Sequence, residues 1–265
     1  MQKHKWQPSG FIKASAVLHV GAAASAIAWP NTLGLGVASI VANHVALTAA
    51  GLWPRSALLG PNVLRLPEGR PEVALTIDDG PDAEVTPRVL DVLAECGAKA
   101  TFFCIAAKVA AQPALARRIV EAGHDIENHS MQHRHYFSVL GMSGIRKELE
   151  QAQQTIADVT GRAPRYFRAP AGLRNPFLDP VLQSMDLKLV SWTRRGFDTR
   201  TGDADLVTAR LLKNARAGDI LLLHDGNAAR GKDGQPVILD VLPRVITAMK
   251  QQQLQCVTIE QGLRV

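Results

Sequence analysis

Hydrophobic and polar positions divide this chain into two unlike stretches. Residues Ala14 to Trp53 contain no Asp, Glu, Lys or Arg, and Ala, Val, Leu, Ile and Gly fill most of the positions. Pro30-Asn31 breaks the run, and His19, Asn43 and His44 interrupt it. A bilayer core takes roughly 17–25 apolar residues per helix. Thr32 to Trp53 meets that length, whereas Ala14 to Trp29 falls just short. Three readings fit. The first is a membrane hairpin turning at Pro-Asn, with Trp29 and Trp53 where interfacial aromatics collect. The second is a cleaved signal peptide, with Lys3, Lys5 and Lys13 before a short apolar run containing Ala-Ser-Ala. The third is a single span, or a hydrophobic flap packed on the protein itself. By the positive-inside rule, a hairpin flanked by Lys3, Lys5 and Lys13 and by Arg55, Arg65 and Arg70 keeps both ends in the cytoplasm. A single span puts the second half outside.

From Pro71 onward, short apolar strands alternate with amphipathic helices. Strands are expected at Val73 to Ile77, Ala100 to Ile105, Asp125 to Glu127, Tyr166 to Arg168, Lys188 to Trp192, Asp219 to Leu223 and Gln255 to Ile259. Helices are expected at Thr86 to Glu95, Pro113 to Ala122, Ser143 to Thr160, Pro176 to Met185, Ala204 to Ala215 and Val237 to Gln252. Glu148 and Glu150 are assigned to the solvated side of the third helix. This succession predicts a parallel sheet with helical crossovers, and seven such units favour closure into a barrel over an open sheet.

Composition narrows the class. The chain has 265 residues, 46% apolar and 20% charged, enough for a packed core and incompatible with global disorder. Cys96, Cys104 and Cys256 are too scattered for a disulfide framework and lack the paired spacing of a thiolate zinc site, so buried free thiols are expected. The formal charge is +6, yet Lys and Arg are spread along the chain and no run resembles a nucleic-acid arm. An anionic, bacterial-type membrane surface is the partner that suits this charge, and no nucleic acid is expected.

Chemistry in parallel α/β folds gathers at the carboxyl ends of strands. Four expected strand ends carry reactive residues: Asp78-Asp79, His129 to His133, Arg168, and His224-Asp225. A fifth, after Trp192, leads to Asp198. An aspartate pair before Gly-Pro is, alone, a common solvated turn. His129 and His133 share a face if their segment is helical. Two neutral imidazoles and one carboxylate make a three-ligand site that leaves positions open for water and substrate, the pattern of catalytic zinc.

Across residues 71–262 these motifs resemble the polysaccharide deacetylases of carbohydrate esterase family 4, whose shared unit is the NodB homology domain. Thr76-Ile-Asp-Asp-Gly-Pro81 is similar to the first motif of that family. His129-Ser-Met-Gln-His133 fits the second, Arg168-Ala-Pro170 the third and Leu222-Leu-His224-Asp225 the fifth. The resemblance implies a distorted (β/α)7 barrel and metal-dependent hydrolysis of an acyl group on a sugar. It implies Asp79, His129 and His133 as ligands of a divalent metal, zinc by ligand type, with cobalt, nickel or iron also accepted. It implies Asp78 as general base paired with Arg168, and His224 as the acid that protonates the leaving amine. The backbone N–H of Ala171 is expected to face the oxyanion and Leu222 to line the acyl pocket.

Two departures bear on substrate. In the fourth motif Asp198 falls at the distance expected of the partner of His224, but Thr199 stands where tryptophan is common. In the third, Ala171 stands where tyrosine is frequent. Both changes remove the aromatic surface that holds long glycans, and only 5% of the chain is aromatic. A compact substrate is therefore expected, a lipid-linked amino sugar rather than a bulk polysaccharide. The organisation expected is residues 1–66 as a hydrophobic segment and 67–265 as the catalytic domain. The enzyme is placed at the inner membrane with a cytoplasmic catalytic domain, or alternatively exported to the periplasm.

Overall fold

A computed structural model describes residues 6–264. Lys3 and Lys5, counted above among the flanking charges, lie outside the described residues. The chain opens with two long helices, α1 (Gly10–Ala28) and α2 (Leu33–Leu52), joined through a short 3₁₀ turn at Pro30–Thr32. Each spans about 30 Å at 1.5 Å per residue, long and apolar enough to cross a membrane. α1 begins at Gly10, so the shortfall expected from Ala14 does not arise. The polar interruptions answer one another across the pair. His19 Nε2 lies 3.3 Å from His44 Nε2, and Asn43 Nδ2 donates to Ser15 Oγ at 2.7 Å. Outward-facing Val17, Val20, Ile27 and Leu35 remain exposed.

Both lower ends of this hairpin dock on the remainder of the chain. Trp6 Nε1 donates to Asp179 Oδ2 at 2.8 Å, and Ser9 Oγ donates to the Leu58 carbonyl at 2.5 Å. At the foot of α2, the Arg174 N–H donates to the Gly51 carbonyl at 3.1 Å. Glycine is needed at 51 because a Cβ there would overlap the Arg174 carbonyl oxygen.

The second part alternates strand and helix: β1 (Glu72–Asp78), α3 (Val85–Glu95), β2 (Thr101–Cys104), α4 (Ala106–Ala111), α5 (Pro113–Glu121), β3 (Asp125–Asn128) and α6 (Met142–Thr160). It continues with β4 (Tyr166–Phe167), α7 (Leu178–Ser184), β5 (Lys188–Leu189), β6 (Arg194–Arg195) and α8 (Ala204–Leu212). β7 (Ile220–His224), α9 (Ile238–Gln251), β8 (Gln255–Val257) and α10 (Ile259–Gly262) complete the chain. All seven expected strands are present. The two-residue β6 and the short α4 and α10 are additions that carry too few positions for a periodic signal, and α10 takes Ile259 from the end of the last expected strand.

Every recorded strand pairing is parallel, in the order β5-β4-β3-β2-β1-β7-β6, with β8 pairing the first half of β1. The sheet curls into an incomplete barrel. Residues 63–66 run along its open side: Val63 bonds to Leu189 and Ser191, and the Leu66 N–H donates to the Gly218 carbonyl at 2.9 Å.

Alternation along the strands fills two cores. Val73, Leu75 and Ile77 of β1 and Leu221 and Leu223 of β7 face the helix layer, packing on α3 and α9. Ala74, Ile220 and Leu222, with Phe103, Tyr166 and Trp192, fill the barrel interior. The same two-residue period carries the inward face to Asp78 and His224, which pair in register at the ends of β1 and β7. Barrel packing therefore sets the positions of two reactive side chains.

Candidate active site

A cavity of about 200 Å3 opens at the carboxyl ends of these strands, with Asp78, Asp79, His129, His133, Ala171, Trp192, Leu222 and His224 on its wall. Arg168 and Asp198 stand behind that wall, each fully buried. The nine residues singled out from sequence thus converge on one place, from five strand ends.

Asp79 follows β1 with a left-handed backbone (φ 74°), which turns its carboxylate toward the histidines. Its Oδ1 lies 3.3 Å from both His129 Nε2 and His133 Nε2. Oδ2 accepts a hydrogen bond from Asn227 Nδ2 at 2.9 Å. His129 Nδ1 bonds to the Arg168 carbonyl at 2.7 Å, which fixes Nδ1 as the protonated nitrogen and leaves Nε2 as a ligand atom. Asp79 Oδ1 is buried and receives no hydrogen bond among the described residues. A divalent cation fits this gap: an orphaned carboxylate oxygen faces two imidazole nitrogens, with all three donor atoms within 4.8 Å of one another. Burial works against charge on Asp79, but the His129, His224 and His133 imidazoles beside it hold its carboxyl well below the usual range. Burial and His129 push His133 down, toward the neutral form that binds metals.

The histidine segment is not helical. Ser130 and His133 have φ of 66° and 50°. The Ser130 N–H donates to Asn128 Oδ1 at 2.8 Å, and the His133 N–H donates to Ser130 Oγ at 2.9 Å. Side-chain acceptors thus replace the helix ladder, and a tight turn brings the two imidazoles together. Glu148 is buried rather than solvated. It accepts the Gln132 N–H and Arg134 Nε, each at 3.1 Å, and so secures the same turn.

Asp78 Oδ1 meets Arg168 Nη1 at 2.6 Å. The guanidinium also donates to Thr76 Oγ1, the Val190 carbonyl and the Ser191 carbonyl, and stacks 4.1 Å over Phe103. A fully buried arginine held at so many points is a rigid counter-charge for Asp78. His224 Nδ1 lies 2.9 Å from Asp198 Oδ1, whose other oxygen accepts the His224 N–H at 2.7 Å. Burial alone would lower the His224 pKa. The Asp198 bond and charge, with Asp78 and Asp79, outweigh it and leave the imidazole above its ordinary value.

Residues 65–190 match the family model described as polysaccharide deacetylase. A peptidoglycan-N-acetylglucosamine deacetylase of Bacillus cereus is 31% identical over 201 residues, covering 75% of this chain and 91% of that protein. The chain belongs to the polysaccharide deacetylase family. It is a hydrolase acting on carbon–nitrogen bonds, as the named deacetylases are. A chitooligosaccharide deacetylase of Sinorhizobium fredii is 37% identical over 159 residues, covering 60% of this chain and 74% of that protein. Among solved structures, a carbohydrate esterase family 4 pseudoenzyme from Bacillus anthracis superposes with a TM-score of 0.69 at 25% identity, covering 77% of this chain and 70% of that one. The same barrel carries active and inactive members, so what separates them lies in the residues of the site and not in the fold.

Sequence reasoning passed over Asn227, which orients Asp79, and Arg195, which reaches the cavity wall from β6. Asn227 follows His224-Asp225-Gly226 directly, and that position at a strand end was its available signal. Thr199 does line the cavity, so the substitution noted in the fourth motif falls on the deacetylase pocket itself.

Proposed function

We propose that this deacetylase removes the N-acetyl group from a compact amino sugar presented at a bacterial inner membrane. One observation carries the membrane part. The loop after β4 that bears Ala171 and Gly172 on the cavity wall also receives the foot of α2, through Arg174 and Gly51. The mouth of the site lies where the hairpin leaves the barrel.

Asp79, His129 and His133 would hold a divalent cation, and their two-imidazole, one-carboxylate set suits zinc. A cation there would polarise the acyl carbonyl and lower the pKa of water. Asp78, ionised against Arg168, takes the proton as water adds to the carbonyl carbon. The Ala171 N–H faces the resulting oxyanion, and Leu222 meets the acyl methyl. His224, protonated at Nε2 and held through Nδ1 by Asp198, gives its proton to the nitrogen as the carbon–nitrogen bond breaks. Acetate and a free amine result.

The hairpin reading draws support from the paired polar groups of α1 and α2, which spare each other an unpartnered place in hydrocarbon. With Arg55, Arg65 and Arg70 beyond α2, positive-inside topology keeps the barrel on the cytoplasmic side. Protease added to intact spheroplasts is expected to leave the barrel whole and to digest it only after lysis. Digestion from outside, or a mature N-terminus near Ala28, rejects this placement. Acetate release is expected to be fastest from a lipid-linked N-acetylamino sugar and slower from chitooligosaccharides and peptidoglycan. A preference for either polymer over the lipid-linked sugar refutes the compact-substrate reading.

A further inference from the structure

A second groove opens beside the catalytic cavity and carries positive charge with no carboxylate on its wall. Trp53, Arg55, Arg195, Phe197, Arg210 and Lys213 line this space of about 340 Å3. The groove and the catalytic cavity share Trp192 and Arg195 as a common wall. Arg194, also at its edge, is already held by Asp219 at 3.1 Å. Among the described residues, Arg55, Arg195, Arg210 and Lys213 make no ion pair with a carboxylate, unlike Arg65, Arg165 and Arg230 elsewhere on the surface. Arg195 Nε is buried and has no hydrogen-bond partner among the described residues.

Stacking sets the arginines in place. The Arg195 guanidinium lies 5.0 Å from the Phe197 ring centre and 5.5 Å from that of Trp192, and Arg210 lies 5.5 Å from the same Phe197 ring. A stacked guanidinium uses its face and leaves its N–H edge for an anion. Four unpaired cations on one wall repel each other, and a bound anion relieves that repulsion. Trp53 and Arg55 follow α2 directly, which puts the groove at the level where a bilayer carries its headgroups.

We infer that this groove is a phosphate subsite, taking the phosphodiester or diphosphate that joins an amino sugar to a membrane lipid. The acetamido group then reaches the adjoining cavity. This inference rests on the deacetylase reading and adds to it the anionic linkage of the substrate.

Full-length protein in detergent provides the test, with acetate release followed on three probes. They are N-acetylglucosamine linked through diphosphate to a polyprenol, N-acetylglucosamine 1-phosphate in water, and neutral chitotetraose. Arg210→Gln with Lys213→Gln is expected to lower kcat/KM for the lipid probe relative to chitotetraose by about tenfold or more, mainly through KM. Inhibition by inorganic diphosphate is expected to weaken alongside, and Arg210→Lys with Lys213→Arg to restore both. An unchanged ratio between lipid probe and chitotetraose overturns the subsite. Equal use of the soluble sugar phosphate and the lipid probe overturns the lipid assignment. If the unaltered protein releases acetate from none of the probes, the deacetylase reading has failed. Calorimetric titration of both proteins with diphosphate then judges the groove alone, and equal affinity refutes it.

Discussion

Asp78→Asn is expected to lower turnover by about a hundredfold to ten-thousandfold while the protein keeps its metal. The two neighbouring aspartates have separate surroundings. Asp79 Oδ1 faces both imidazoles at 3.3 Å, whereas the nearest approach of Asp78 to them is 3.9 Å, from Oδ2 to His129 Nε2. Asp78 is committed instead to Arg168 at 2.6 Å. Asparagine keeps the shape and an acceptor for Arg168 but cannot take a proton. Removing the charge leaves a buried guanidinium without its counter-ion, so stability falls as well. Thr76 and the Val190 and Ser191 carbonyls still receive its donors, and the variant is expected to fold. Metal content after dialysis, circular dichroism and acetate release together check this. Asp79→Asn is expected to lose the metal. If the metal behaviour of the two variants were exchanged, so would be the roles assigned to Asp78 and Asp79.

His224→Ala is the second large loss, also about a hundredfold or more, and it is expected to erase the alkaline limb of the pH–rate profile. The acid works only while protonated, so activity is present below the His224 pKa and lost as pH rises through it. Asp198 helps to hold that pKa above its ordinary value. Asp198→Asn removes the charge and lets the pKa fall, so its alkaline limb should move toward lower pH with turnover partly kept. A profile that keeps its alkaline limb after His224→Ala places the acid elsewhere.

Strand positions and strand-end residues were legible because short, continuous apolar runs end abruptly at polar turn residues. Once Val73 to Ile77 and Asp219 to Leu223 read as buried parallel strands, Asp78 and His224 had to lie at their carboxyl ends, while the pairing of those two strands came from the fold. Turn chemistry was less legible. The spacing of His129 and His133 also suits a helix, and only Asn128 and Ser130, acting as local acceptors, convert it to a turn. Glu148 shows the same limit. Its helical position marks it as solvated, but the turn 14–16 residues upstream folds over it and supplies two donors. Asn227 stood at a legible strand end, but its bond to Asp79 crosses from another strand, and Arg195 lies in a two-residue strand too short to read.

If the hairpin spans the membrane as proposed, a site whose mouth is fixed to its base meets a lipid-borne substrate in two dimensions. Trp6, Ser9 and Gly51 anchor both hairpin ends to the barrel, so no slack tether lets the pocket wander into bulk solution. Encounter frequency then follows the number of substrate molecules per unit area of leaflet, not their number per litre of cell. Dilution of the cytoplasm leaves such a reaction unchanged, and dilution of the substrate lipid by other lipids slows it.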